Sequence, residues 1–256
     1  VIETIVGLIA ERRQKDDRAS DPKYRTKAEQ LYDAILPLLK KETALDPQRD
    51  AVTYAMNTTA GKVMESYILF SLRVAKATQK PVNWGADNYE RFFEIGIEAS
   101  IWFGCYLLQM RYLDRAYTDN KITAFANLSA DDMQWRGFME GYLTGSQIYT
   151  DLYALMRPHY VKAVTHKVLA DQMDDRLVQH LCFGYLHFGE LLQPNNADGQ
   201  PSLFWQMLDE AGSSEKRERW FEVAAFFWSF TRRTIRKEDQ DQDEEASEDV
   251  KKKIIE

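Results

Sequence analysis

The sequence predicts an all-α protein. Apolar residues recur at the three- and four-residue spacing of a helix, and the chain has no sustained alternation with period two. Glycine (12) and proline (7) are scarce among the 256 residues, which disfavours a turn-rich β structure. A chain of this length buries roughly 70–75% of its unfolded surface, so it needs neither a disulfide nor a metal ion for stability. We therefore expect helices throughout.

Apolar spacing and breaker residues locate the elements along the chain. The first helix, 23–42, carries an apolar stripe with a kink expected at Pro37. The following predicted helices are 48–56, 58–79, 88–117, 130–156, 158–170, 174–192, 202–211 and 215–237. Loops are predicted where Pro, Gly, Asn or Asp collect, at 80–87, 118–129 and 193–201. The acidic segment 238–249 is predicted to be a linker, and 250–256 the start of a further helix cut off by truncation of the chain.

A spacing of about 43 residues relates four of these helices. Phe92, Trp135, Leu177 and Trp220 lie 43, 42 and 43 residues apart. When the chain is aligned on them, the positions three, seven and eight residues further on also correspond, and three of these four aligned columns are mainly apolar. This period predicts an irregular HEAT- or armadillo-like helical repeat, an α-solenoid of roughly 9–11 helices, over residues 1–237. An irregular helical domain is the alternative, since any apolar helical stripe can be aligned in this way. We expect both Trp135 and Trp220 to be buried.

The stretch AMNTTAGKVMESYILFSL, residues 55–72, contains an Ala-Gly-Lys that resembles part of a phosphate-binding loop. Such a loop requires a glycine four residues before the Gly-Lys pair and a hydroxyl residue after the lysine. Here Val63 follows Lys62, and the upstream glycine is missing. We predict instead a helix start, capped by Asn57, Thr58 or Thr59, with Gly61 allowing a close helix contact. An anion or partner contact at this helix N-terminus is the alternative hypothesis.

The four histidines form two pairs with a spacing of seven residues, His159 with His166 and His180 with His187. Seven residues of helix rise about 10 Å, too far for one metal ion to bind both members of a pair. We therefore expect core or exposed imidazoles and no metal site. Asp174 and Asp175 are expected to place negative charge in the first turn of the next helix.

No catalytic arrangement is recognisable in the sequence. Neither cysteine, Cys105 or Cys182, has a histidine partner at a suitable spacing, and no serine lies in a nucleophile elbow. Both thiols are expected to be buried in a reducing, cytoplasmic compartment. We predict no catalytic residue, no cofactor and no enzymatic activity for this fragment.

Two basic aromatic stretches are the candidate contact sites. With a net charge of -7, the whole chain has no bulk attraction for nucleic acid or anionic lipid, and no run of about 18 apolar residues could cross a membrane. The candidate contacts with a partner or nucleic acid are Arg157, Lys162, Lys167, Arg232, Arg233 and Arg236. A solvated surface neutralised by nearby acidic residues is the alternative interpretation.

Three stretches carry a resemblance to a known family: MNTTAGKVMESYILFSL, MQWRGFMEGYLTGSQIYTDLYALMRPHY and RERWFEVAAFFWSFTRRT. Together they resemble the C-terminal helical region of bacterial antiphage-defence proteins that have an N-terminal sirtuin-like domain. The resemblance covers most of residues 30–237 and rests on a helix start and aromatic helices. It implies a parent protein that hydrolyses NAD through a domain not present here. It implies no catalytic residue in this fragment.

The expected function follows from the resemblance and from the missing catalytic arrangement. We expect a sensing, regulatory or assembly region that binds protein, either a phage component or other domains or protomers of the parent assembly. The alternative is a nucleic-acid-binding helical repeat that uses the basic aromatic helices, and no membrane partner is expected. A third hypothesis is a helical enzyme with an unfamiliar site.

Overall fold

The computed structural model describes residues 2–10, 21–39, 50–78, 89–145, 148–166, 168–211 and 217–238. Every regular element in these ranges is a helix, and the sole β-type contact among them is an isolated bridge between Asn195 and Pro201. The prediction of an all-α fold is confirmed. The predicted linker beyond Glu238 and the further helix at 250–256 lie outside the described residues.

The described chain contains thirteen α-helices and one 3-10 turn, more than the predicted number. In chain order they are α1 (Ile2–Ala10), α2 (Pro22–Ile35), the 3-10 turn Leu36–Leu38, α3 (Ala51–Asn57), α4 (Thr59–Thr78), α5 (Glu90–Phe93), α6 (Glu98–Cys105), α7 (Leu107–Leu113), α8 (Arg115–Ala126), α9 (Met133–Gly145), α10 (Thr150–Thr165), α11 (Asp171–His187), α12 (Leu203–Ala211) and α13 (Arg217–Glu238).

The largest differences from the predicted elements lie between residues 88 and 129. The predicted helix 88–117 is broken into α5, α6, α7 and the start of α8, and most of the predicted loop 118–129 belongs to α8. Asp114 restarts the helix because its carboxylate accepts a hydrogen bond from the backbone N–H of Tyr117 at 3.1 Å. Ile122 and Phe125 are buried, so tertiary packing overrides the polar composition of the segment.

The helix boundaries around residues 145–190 also differ from the prediction. The predicted helix 130–156 is two helices, α9 and α10, and Pro158 lies inside α10 rather than at a helix start. Pro158 is on the exposed side of α10, where water can satisfy the carbonyl that the proline ring leaves without a donor. α11 begins at Asp171, three residues earlier than predicted, and ends at His187.

Residues 1–237, predicted as one domain, fall into two compact units, Val1–Gln147 and Ile148–Glu256. In the first unit, glycines allow α6 and α9 to approach closely. A Cβ atom on Gly141 would lie 2.1 Å from the carbonyl oxygen of Ile101, and one on Gly104 would lie 2.2 Å from that of Phe138. Around this contact, the Phe138 ring stacks on Phe125 with 5.0 Å between centroids.

The second unit is built from α10, α11, α12 and α13, with a long loop between α11 and α12. One face of α13 packs against α11 and α12. Phe226 meets Phe183 at 5.1 Å between ring centroids, and Phe227 meets Tyr185 at 6.1 Å. Arg219 of α13 adds a bidentate ion pair with Asp174 of α11, at 2.8 and 2.7 Å.

Candidate functional site

The Ala-Gly-Lys stretch is a helix start, as predicted. Thr58 precedes α4, and its Oγ1 accepts a hydrogen bond from the backbone N–H of Gly61 at 3.0 Å. Helix α3 comes before it, where a phosphate loop would require a strand. A Cβ on Gly61 would lie 1.9 Å from the carbonyl oxygen of Ala55, which confirms the predicted close helix contact.

At the start of α4, where an anion or partner contact was the alternative hypothesis, the structure has the side chain of Glu3. The Glu3 carboxylate accepts hydrogen bonds from the Thr59 hydroxyl at 2.9 Å and from Lys62 Nζ at 2.8 Å. These two hydrogen bonds, that of Lys62 first, lower the pKa of Glu3 below its ordinary value. Glu3 therefore provides the negative charge that the start of α4 favours.

The histidines are core or exposed side chains, as predicted. His159 and His180 are buried, whereas His166 and His187 are exposed. The Nδ1 atom of His180 lies 2.9 Å from the Tyr160 hydroxyl, and burial lowers the pKa of His180 to about 3. Within the described ranges, no three His, Cys, Asp or Glu side chains are grouped closely enough to hold a metal ion.

The two thiols lie in helices of different units. Cys182 is buried and Cys105 is half-buried, and both are free cysteines. Burial raises the pKa of Cys105 to about 12 and also raises the pKa of Cys182. The thiolate, which is the nucleophilic form, is therefore disfavoured at both positions at neutral pH.

Arg157, a predicted contact residue, is engaged inside the second unit. Its guanidinium donates to the Glu190 carboxylate and to the carbonyl oxygen of Pro201. Glu190 is 1% exposed and also accepts from the Leu203 backbone N–H at 2.6 Å and from Asn196 Nδ2 at 3.1 Å. Arg157 therefore holds the loop between α11 and α12 against α10.

Sequence reasoning missed Glu190 because it lay inside the predicted helix 174–192. The signal that marks the end of α11 is Gly189, which has a φ of 81°. A glycine with positive φ commonly terminates a helix. Glu190 then lies beside the first turn of α12, where a carboxylate is favoured by the unpaired N–H groups of that turn.

The other predicted contact residues are found in different places. Lys162 is half-buried in α10, and Lys167 lies outside the described residues. Arg232 is exposed on α13. Arg233 and Arg236 belong to the α13 backbone, but their side chains lie outside the described part. Contact of these residues with a partner or nucleic acid stays a prediction.

The second face of α13 exposes large aromatic side chains. Trp220 is 48%, Phe221 74% and Trp228 68% exposed. Ala224, Ala225 and Arg232 are also exposed on this side of the helix. We define the α13 outer face as Trp220, Phe221, Ala224, Ala225, Trp228 and Arg232.

The prediction that Trp220 is buried is wrong, because the packed face of α13 is formed by Arg219, Val223, Phe226 and Phe227 instead. Trp135, by contrast, is fully buried as predicted.

Two further observations bear on the class of protein. Among the described helices, none combines the length and the apolar character required to cross a membrane. Comparison of the chain with protein families, with curated proteins and with solved structures finds no match.

Proposed function

We propose that this chain is a non-catalytic helical-repeat fragment that acts by protein–protein interaction, and that the α13 outer face is its contact surface. The observation that supports this proposal is the exposure of Trp220, Phe221 and Trp228 on one side of one helix. Trp, Tyr and Arg dominate the binding energy of protein interfaces, and contiguous exposed apolar patches on monomers mark binding sites.

The exposed aromatic residues are not needed to hold α13 in place. The opposite face already packs through Phe226 and Phe227, and Arg219 is 3% exposed in its ion pair with Asp174. A helix anchored in this way can present its outer face without a large ordering cost when a partner binds. Such preorganisation favours a binding function for the outer face.

The proposed parent is a cytoplasmic, sirtuin-type antiphage-defence NAD hydrolase, in which this fragment serves sensing, regulation or assembly. The resemblance of the α4, α9–α10 and α13 stretches supports this parent. A HEAT-like repeat is proposed as its architecture, because Phe92, Trp135 and Leu177, three of the four aligned positions, are fully buried. Trp220, the fourth aligned position, departs from the pattern because it is half-exposed.

Nucleic-acid binding is the alternative function, and one observation favours it. Trp228 and Arg232 are both exposed one turn apart on α13, and an aromatic ring next to a cation is the arrangement that stacks on single-stranded bases. The net charge of -7 opposes this alternative. Binding to phosphate would weaken steeply as the salt concentration rises, whereas binding through apolar contacts would not.

The proposal is tested by affinity capture from phage-infected and uninfected cells with the wild-type chain and with Trp228→Ala. Tyr112→Ala is the matched control, because Tyr112 is a 57% exposed aromatic residue in the first unit. We expect a phage protein or a domain of the parent protein to be captured by wild type and Tyr112→Ala and lost with Trp228→Ala. Capture of nucleic acid alone, removed by salt, would establish the alternative function.

A further inference from the structure

We infer that the α13 outer face binds the same face of a second copy of this chain, with the two α13 helices antiparallel about a two-fold axis near residue 226. The inference rests on the proposed function and specifies its partner. On α13, Trp220, Ala224, Trp228 and Arg232 are spaced four residues apart, so they form one ridge, and all four are exposed.

The order of side-chain sizes along this ridge favours antiparallel pairing. Ala224 and Trp228 are equally far from residue 226, and so are Trp220 and Arg232. In an antiparallel pair, Trp228 of each copy therefore packs on Ala224 of the other, a large side chain against a small one. A parallel pair would instead place Trp against Trp, Ala against Ala and Arg against Arg, which leaves gaps and opposes like charges.

Charge along α13 agrees with the same orientation. The antiparallel pair brings Arg232 of one copy next to Trp220 of the other, where its guanidinium can lie over the indole ring. Each end of the interface thus pairs a cation with an aromatic ring, and the two-fold axis repeats this pairing at the other end.

The area available sets the strength of the pair. A Trp or Phe side chain has about 150–250 Å² of surface, so the exposed parts of Trp220, Phe221 and Trp228 supply on the order of 400 Å² per copy. A standard interface buries about 800 Å² per partner. The contact is therefore a weak, concentration-dependent dimer rather than an obligate one.

Sedimentation velocity over a roughly hundredfold concentration range tests the inference. We expect wild type and Tyr112→Ala to shift from monomer to dimer in the micromolar range. Trp228→Ala should weaken self-association by about thirtyfold, the effect of removing one interface hot spot. Because Trp228 is 68% exposed, the variant should keep the circular dichroism spectrum and melting temperature of wild type.

Exchange of the paired side chains tests the antiparallel orientation itself. Ala224→Trp alone should weaken the dimer by about fivefold, because Trp would then meet Trp across the two-fold axis, and the double variant with Trp228→Ala should associate more tightly than either single variant. A wild-type chain that stays monomeric, a dimer that Trp228→Ala leaves unchanged, or a double variant weaker than both single variants would each overturn the inference.

The outcomes also separate this inference from the proposed function. If wild type is monomeric while Trp228→Ala loses a captured protein partner, the self-pairing is wrong and the proposed function stands. If Trp228→Ala changes neither self-association nor capture, the outer face binds nothing and both proposals fail.

Discussion

Helices α9 and α13 have similar aromatic compositions but opposite relations to the core. Trp135 of α9 is fully buried, and Trp220 of α13, its counterpart in the 43-residue alignment, is 48% exposed. α9 is buried on almost every side because Gly141 and its glycine neighbours let α6 lie against its backbone. α13 has no glycine and is packed on one face, where Arg219 anchors it to α11. Small residues, more than aromatic ones, decide how completely a helix is buried here.

The largest expected effect is the difference in stability between Trp135→Ala and Trp220→Ala. Trp135→Ala removes a fully buried indole, and we expect it to lower the free energy of unfolding by about 3–5 kcal/mol. Trp220→Ala removes a half-exposed ring and should cost less than about 1 kcal/mol. Urea denaturation of both variants measures the difference. Equal losses would mean that the contrast between α9 and α13 is wrong.

The second prediction concerns the buried carboxylate of Glu190 in the second unit. Glu190→Ala removes the buried carboxylate that accepts hydrogen bonds from the Arg157 guanidinium and the Leu203 N–H, so we expect a loss of about 3 kcal/mol in the free energy of unfolding. Asp33→Ala is the control in the first unit, because its pair with Arg91 is exposed and should contribute less than about 1 kcal/mol. A loss for Glu190→Ala no larger than that of the control would exclude Glu190 as the anchor of the loop.

The glycine contact of α9 can be tested with one added methyl group. Gly141→Ala places a Cβ 2.1 Å from the Ile101 carbonyl oxygen, so α6 must move, at a cost of about 1–3 kcal/mol. Gly7→Ala is the matched control, since a Cβ there meets nothing within 4 Å and alanine favours the helix. We expect the control to be neutral or slightly stabilising. Unchanged stability of Gly141→Ala would show that α6 and α9 are not held by close approach.

The last prediction is a pH dependence of stability located in the second unit. Burial lowers the pKa of His180 to about 3, well below the ordinary 6.5. The unfolded chain therefore binds one more proton than the folded chain between those values, and stability falls as the pH drops through this window. The slope should be about 1.4 kcal/mol per pH unit between about pH 6 and 4.

His180→Gln is the comparison for this slope, because glutamine keeps a hydrogen-bonding group near Tyr160 but does not titrate. Urea denaturation at two pH values should give a shallower dependence for the variant, by about one proton. If wild type and variant lose stability in parallel, His180 is not the group that titrates on unfolding.

Features determined by adjacent residues could be predicted from the sequence. The start of α4 is one, because Thr58 and Gly61 are close in the chain and the cap is a local hydrogen bond. The loop predicted at 118–129 is the opposite case. Nothing local shows that Ile122 and Phe125 are buried by the surrounding helices, so the polar residues there suggested a turn.

The candidate surface could be predicted only in part. The sequence identified α13 as an aromatic helix ending in cations, and Arg232 is exposed there as a contact residue must be. It could not show which aromatic residues face outward, because those on both faces are large and apolar. Trp135 has Gly137 and Gly141 after it and Trp220 has no glycine in its helix, but the tertiary packing decides which face of each helix is buried. The sequence predicts Arg157 in a basic contact stretch because its partner Glu190 is distant in sequence and lies within the predicted helix 174–192.

The Glu190 carboxylate also has a dynamic consequence. It receives hydrogen bonds from Arg157 and Tyr153 of α10, from Asn196 of the loop and from the first amide of α12, at Leu203. A fluctuation that frees any one of these segments leaves a buried charge with fewer donors, so the three segments open together or not at all. Slowly exchanging amides in α10 and early α12 should therefore report one shared opening free energy, with the loop between α11 and α12 moving as part of the same cooperative unit.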